Sequence, residues 1–256
     1  MKDHKLEMNK YKMREYWNKR ATVGVTIYEK VCDYAAPPQF NEIMNKLQKD
    51  RLDALLSELP NIQSKRVLEV GCGIGRWGNF IINKGAEYTG VDISPKMIEI
   101  AKKNVPKGHF YVIDGENLNF PDNHFDLVFS ITVLHHIPYD KKENLIQEIC
   151  RVVKEEGYII IIEGITFKKP RQTFNFFPLS PADWIAIFEK HKCRVIKVVK
   201  HQFLYIYLNF LTRKFSRITK TRMFKFIWSR IVEKVATRTL PWRFFAGCGI
   251  IFKKVR

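Results

Sequence analysis

Glu69, then glycines at every second position (Gly71, Gly73 and Gly75), and Asp92, 21 residues beyond Gly71, form a group that could do chemistry. Alternating glycines let the backbone adopt φ > 0 and approach a ligand with no Cβ in the way. An acid about twenty residues on, at the tip of the next strand, is placed to take the two hydroxyls of a ribose. A second group lies downstream. His135 and His136 carry imidazoles that titrate near neutrality and suit a general base. Glu163 suits either orienting an acceptor or capping a local turn.

These side chains need elements to hold them. Val67, Leu68 and Val70, bounded by Lys65 and Arg66 in front and the glycines behind, read as a buried strand feeding a tight turn. The pattern predicts a helix over 76–84, stopped by Gly85, with its free N–H groups and positive dipole end aimed at the loop. Tyr88 to Val91 reads as a second strand ending in Asp92, and Ile93 is placed to lie against an adenine face. Gly73-x-Gly75-x-x-Gly78 also satisfies the dinucleotide pattern, so the glycines alone leave a nicotinamide or flavin cofactor open. Glu69 speaks against one. Its carboxylate would face a pyrophosphate unfavourably but would suit an ammonium or sulfonium cation.

Glu69-x-Gly71-x-Gly73-x-Gly75, an acid ahead of three alternating glycines, resembles the first motif of the class I S-adenosylmethionine-dependent methyltransferases. Phe110 to Glu116 looks like that family's third strand, and the resemblance implies that Asp114 holds the adenine amino group, with Cys72, Gly115, Glu116 and Ser130 among the cofactor contacts. Phe125 to Ser130 and Val133 to Pro138 are similar to the fourth strand and its following loop. Glu148 to Gly157 and Tyr158 to Glu163 are similar to the next helix and the fifth strand. The resemblance runs from about 65 to 165. It implies S-adenosyl-L-methionine as cofactor and a methyl acceptor facing His135, His136 and Glu163. The expected fold is α/β, a doubly wound, seven-stranded, mostly parallel sheet. The magnesium-dependent members need a cluster of carboxylates and amides that this sequence lacks, so no metal is expected.

Other local signals fill in the frame. Residues 1–60 read as an N-terminal helical cap ahead of a cofactor-binding domain over 61–256. Residues 1–20 are highly charged, and Tyr16, Trp17 and Arg20 suit either a lid or anchors for a helix. Asn41 to Leu59 has helical apolar spacing, with Asn41 as cap and Pro60 as stop. Ser94 and Pro95 open a helix to about Asn104. Asp140-Lys-Lys-Glu143 reads as a capping-box variant opening a helix to Val153, and Ser180-Pro-Ala-Asp183 opens one ending near His191. Strands at 193–200 and 246–254 bring the count to seven. In the turn Lys154-Glu-Glu-Gly157 the glycine is expected to be the left-handed residue.

At 256 residues the chain can bury one sizeable α/β core without disulfides. Its five cysteines lack C-x-x-C spacing and mostly sit in apolar stretches, which favours reduced thiols in a cytosolic setting. Cys72 reads as a small residue that fits its loop. No apolar run approaches a spanning length, so the chain is expected to be cytoplasmic, with peripheral membrane attachment left open.

The net charge of +18 is regional. Residues 165–256 hold 21 Lys and Arg against three acids, whereas 1–164 are balanced. Within this third, 201–245 mixes ten Lys and Arg with many aromatics, and Phe224, Ile227, Ile231 and Val235 share one helical stripe. Three readings compete for this insertion: an anionic membrane surface presenting an amphiphilic acceptor, an RNA face, or a lid or homodimer surface. The expected function is methyl transfer to a small-molecule or lipid-like acceptor. The alternatives are a tRNA or rRNA methyltransferase, a non-catalytic RNA-binding protein on the same scaffold, and a nicotinamide-dependent reductase.

Overall fold

The computed structural model describes residues 2–23, 38–166, 175–201 and 247–256. The basic aromatic insertion, apart from His201, lies outside them. In chain order the elements are α1 (Lys2–Thr22), α2 (Pro38–Leu56), β1 (Arg66–Val70), α3 (Gly78–Ile82), β2 (Glu87–Asp92), α4 (Pro95–Asn104) and β3 (His109–Val112). There follow β4 (Phe125–Ile131), a 3₁₀ turn (Leu134–His136), α5 (Tyr139–Val152), β5 (Val153–Gly164), α6 (Pro181–Glu189), β6 (Cys193–His201) and β7 (Gly247–Lys254).

The seven strands form one sheet in the order β3-β2-β1-β4-β5-β7-β6. β7 runs antiparallel to both neighbours, and every other pairing is parallel. The expected doubly wound, seven-stranded α/β sheet is therefore present. Central strands covered on both faces must be apolar at every position, and β5 shows it. Ile159 and Ile161 enter one core with Val128, Leu145 and Ile149, under α5 and α6. Ile160 and Ile162 enter the other with Phe129, Leu52 and Leu55, under α2 to α4. Each such side chain contributes about 1.5–3 kcal/mol of burial. Strand order reverses between β1 and β4, and the carboxyl ends of those strands open the crevice where such sheets bind ligands.

Several local expectations need correction. The helix after the glycine loop is only Gly78–Ile82, because Gly75 and Gly78 close successive tight turns onto Cys72 and Gly75 carbonyls (2.9 and 3.2 Å). α2 starts at Pro38, a residue preorganised for a first helical position, which leaves Asn41 buried inside the helix and no cap. α5 begins after Pro138 with no side-chain cap, so Asp140-Lys-Lys-Glu143 is not a capping box. Glu143 instead pairs with Lys190. Residues 154–157 lie inside β5, and the left-handed one among them is Glu156 (φ 63°), not Gly157. Gly157 is required for space, since a Cβ there would lie 2.8 Å from the Lys154 carbonyl oxygen. Two caps hold as read: Ser94 accepts the Met97 N–H (3.1 Å), and Ser180 with Asp183 forms a complete capping box.

Candidate active site

A cavity of about 840 Å³, counting the space at its mouth, opens at the carboxyl ends of β1, β2 and β4. Its floor is the glycine loop, tied to β2 by Gly71 and Cys72 N–H groups on the Val91 carbonyl (2.8 and 2.9 Å). Gly71 has φ 77°, and a Cβ on it would come within 2.3 Å of Val133 Cγ2, so the loop after β4 lies directly on the loop after β1. Asp92 knits the rim. Its Oδ2 accepts the Gly73 N–H (2.9 Å) and its Oδ1 the Ser94 N–H (2.8 Å). Burial pushes its carboxyl up to about 6, with the Ser94, Gly73 and Ile93 N–H groups opposing.

Glu69 lines the same cavity and is almost fully buried, its Oε2 accepting the Tyr88 hydroxyl at 2.5 Å. Burial drives this carboxyl up to about 8, against the pull of Tyr88 and then Arg76. A site that withholds full ionisation from a buried acid is one that a cationic ligand completes. Arg76 also lines the cavity, its guanidinium 4.3 Å from the Trp77 ring centre and hydrogen bonded to Asn45 Oδ1 (3.2 Å). One wall thus carries an acid for a cation and a guanidinium for an anion. The Cys72 thiol is buried and held well above its ordinary pKa by that burial, which suits a space-filling residue and not a nucleophile.

The opposite wall comes from the segment after β4. Thr132 has φ 57°, a left-handed conformation that a β-branched residue adopts only under strain, on the order of 1–3 kcal/mol. The turn that follows separates the two histidines. His136 faces the cavity, while His135 turns away and gives its Nδ1 to Glu163 Oε2 at 2.6 Å. Glu163 also accepts the backbone N–H groups of Val133 (3.1 Å), Leu134 (2.9 Å) and His135 (3.2 Å). His136 Nδ1 bonds the Asn175 carbonyl oxygen. A carbonyl only accepts, so the proton sits on Nδ1 and Nε2 is left with a free lone pair. Burial, reinforced by His135, lowers this imidazole to about 3 and keeps it neutral. α1 closes the cavity from above. Trp17 meets the His136 ring edge-on (5.3 Å between centroids), and Asn18 Oδ1 accepts the Ser94 hydroxyl (2.6 Å).

Residues 68–161 match the family described as a methyltransferase domain. This core is a class I S-adenosylmethionine-dependent methyltransferase domain. The chain is 32% identical over 113 residues to an uncharacterized methyltransferase of Oceanobacillus iheyensis, covering 43% of this chain and 52% of that protein. It is 31% identical over 127 residues to a demethylmenaquinone methyltransferase of Thermotoga maritima, covering 48% and 54%. The chain thus spans about half the length of these curated relatives. A solved geranyl diphosphate methyltransferase, in complex with GPP and sinefungin, shares the fold with a TM-score of 0.68 at 14% identity, covering 96% of this chain and 99% of that one.

Within the methyltransferase domain, Glu69, Gly71, Cys72, Gly73, Asp92, Ile93, Gly115 and His136 come together around the cavity. Other residues named from sequence do not line it. Gly75 packs its backbone against Ala101 and Val105. Asp114 turns its Oδ1 to the N–H groups of Glu116 and Asn117 (both 2.8 Å). Glu116 pairs with Lys141 (3.3 Å). Ser130 is buried in the sheet, its hydroxyl without a partner. Reading the sequence missed Arg76, Met13 and Thr132. Arg76 follows the last alternating glycine directly, which was the one signal available for it. Among the described residues there is no cluster of metal-ligating side chains, and no helix is long and apolar enough to cross a membrane.

Proposed function

We propose that the chain binds S-adenosyl-L-methionine at the glycine loop and methylates a hydroxyl of a small, largely apolar acceptor. One observation carries the reading: a buried acid, Glu69, faces the same cavity as a neutral, tautomer-fixed His136. Glu69 would take the ammonium of the methionine end, Arg76 its carboxylate, Asp92 the ribose, and Ile93 with Gly115 the adenine. Bound there, the cofactor supplies a methyl group made electrophilic by its sulfonium. The chain's share is to hold a nucleophile in line, about 3–3.5 Å away, and to take its proton at His136 Nε2 as methyl transfer makes that proton strongly acidic. Among the described residues, the charged groups lining the cavity (Glu69, Arg76 and Asp92) stand at the cofactor end, whereas Trp17, Val133, Ile137 and Leu145 line the rest with His136. Such a surface suits an uncharged reacting group, and relatives named for demethylmenaquinone and geranyl diphosphate support an acceptor of small-molecule kind.

Methyl-labelled S-adenosylmethionine incubated with the protein and a cell extract tests this reading. Label is expected in the organic or small aqueous fraction, and label in RNA would overturn it. With an acceptor identified, His136→Ala is expected to lower kcat by about 10²-fold with S-adenosylhomocysteine affinity unchanged. An undiminished kcat would remove His136 from the chemistry.

Cofactor binding should also move a proton. With its carboxyl at about 8, Glu69 is protonated in the free protein at neutral pH. An ammonium beside it favours the carboxylate, so binding at pH 7 releases close to one proton, and affinity rises by about 20-fold between pH 6 and 7.5. The rise flattens near pH 8, where an α-amine begins to lose its own proton. Titration calorimetry in buffers of different ionisation heat reads the proton directly. A pH-independent affinity with no proton release would take Glu69 away from the ammonium.

A further inference from the structure

Lys142, in the first turn of α5, is 1% exposed. An ammonium is among the groups least tolerated in an interior, and it persists there only when bonded. Lys142 Nζ donates to the Leu134 carbonyl oxygen and lies 4.9 Å from the centre of the Trp184 ring. Leu134 is also the residue whose own N–H is held by Glu163. The 3₁₀ turn is therefore gripped at both polarities. A carboxylate from β5 takes two of its N–H groups and that of Val133 just before it, and an ammonium from α5 takes one of its carbonyls. An apolar side chain of the same length would fill this space with no charge to desolvate, so the charge has its use in the carbonyl it holds.

We propose that Lys142 is a positioning residue of the acceptor site, fixing the His136 imidazole against the cavity by anchoring the Leu134 carbonyl. Its relevance to methyl transfer rests on His136 being the group that meets the acceptor. The charged and titratable groups that face Lys142 are Glu163 from β5, His136 from the turn, and Tyr139 from its own helix. Burial brings the Lys142 ammonium down to about 7, with Glu163 opposing. The anchor is thus a cation below neutrality and a neutral amine above it. His136 itself, lowered to about 3, does not titrate in that window.

The test needs no acceptor. Histidine-labelled full-length protein is followed by nitrogen NMR from pH 6 to 8.5, with His136 assigned from the spectrum of His136→Ala. In the wild type His136 should hold a single Nδ1–H tautomer throughout this range. In Lys142→Met the second tautomer should appear, while S-adenosylhomocysteine affinity stays within about threefold. A wild type that populates both tautomers overturns the proposal even if Lys142→Met does not fold. So does a folded Lys142→Met that keeps the single tautomer. Full methyl transfer by His136→Ala would instead sink the reading of His136, and leave the NMR result to decide Lys142 by itself.

Discussion

Asp92→Ala raises the dissociation constant for S-adenosylhomocysteine by about 10³-fold or beyond measurement, while the chain stays folded. Two carboxylate hydrogen bonds to a ribose are worth about 1.5–3 kcal/mol each, and the variant also lets go of the Gly73 N–H that shapes the loop. Stability should change little because two effects oppose each other. The folded carboxyl, pushed up to about 6, binds protons more readily than the unfolded one, whose ordinary value is 3.8. Stability of the free protein therefore falls as pH rises through that window. At neutral pH the buried charge costs about 3 kcal/mol, which its removal gives back. The Gly73 and Ser94 N–H groups left without an acceptor cost a comparable amount, about 1–3 kcal/mol each. Calorimetry with a thermal melt separates binding from folding. Tight binding by a folded Asp92→Ala would withdraw the ribose assignment and with it the cofactor reading of β2.

The residues that proved legible in the sequence are those whose demands are local. A backbone at φ 77° favours glycine whatever packs on it, so Gly71 announces itself, and Asp92 follows because it ends the next apolar run. Four isoleucines in a row can only be a strand buried on both faces, so β5 was also plain. The histidines show the limit. From sequence His135 and His136 are equivalent, and what separates them is a carboxylate 28 residues away, brought alongside by the pairing of β4 with β5. Lys142 looked like one more charge on a helix, because nothing local says that its face of α5 lies beneath that turn. Trp17 suited both a lid and an anchor, and the structure gives it both contacts, on the cavity and on α4's neighbour Ile74. The helix after the glycine loop is shorter than its pattern because tight turns at Gly75 and Gly78 satisfy the same N–H groups that a longer helix would.

Glu163→Ala is expected to destabilise the protein by about 4 kcal/mol or more, lowering its melting temperature by roughly 8–16 °C. Glu163 has no exposed surface, and it accepts three backbone N–H groups and the His135 ring. Removing it orphans four donors, three of them buried, at about 1–3 kcal/mol for each buried one before relaxation. It also removes the charge that favours the Lys142 ammonium, so that amine gives up its proton more readily. Glu163→Gln keeps one oxygen for the turn but sets an amide N–H₂ against donors, so it should fall between the two. The same pair of variants decides what the carboxylate does. If Glu163 only holds the turn, activity per folded molecule in Glu163→Gln should fall in step with the disorder of His136. If it orients the acceptor directly, Glu163→Ala would melt near the wild-type temperature and lose kcat alone. The geometry favours the first outcome, because every donor that reaches Glu163 belongs to the turn or to the ring beside it.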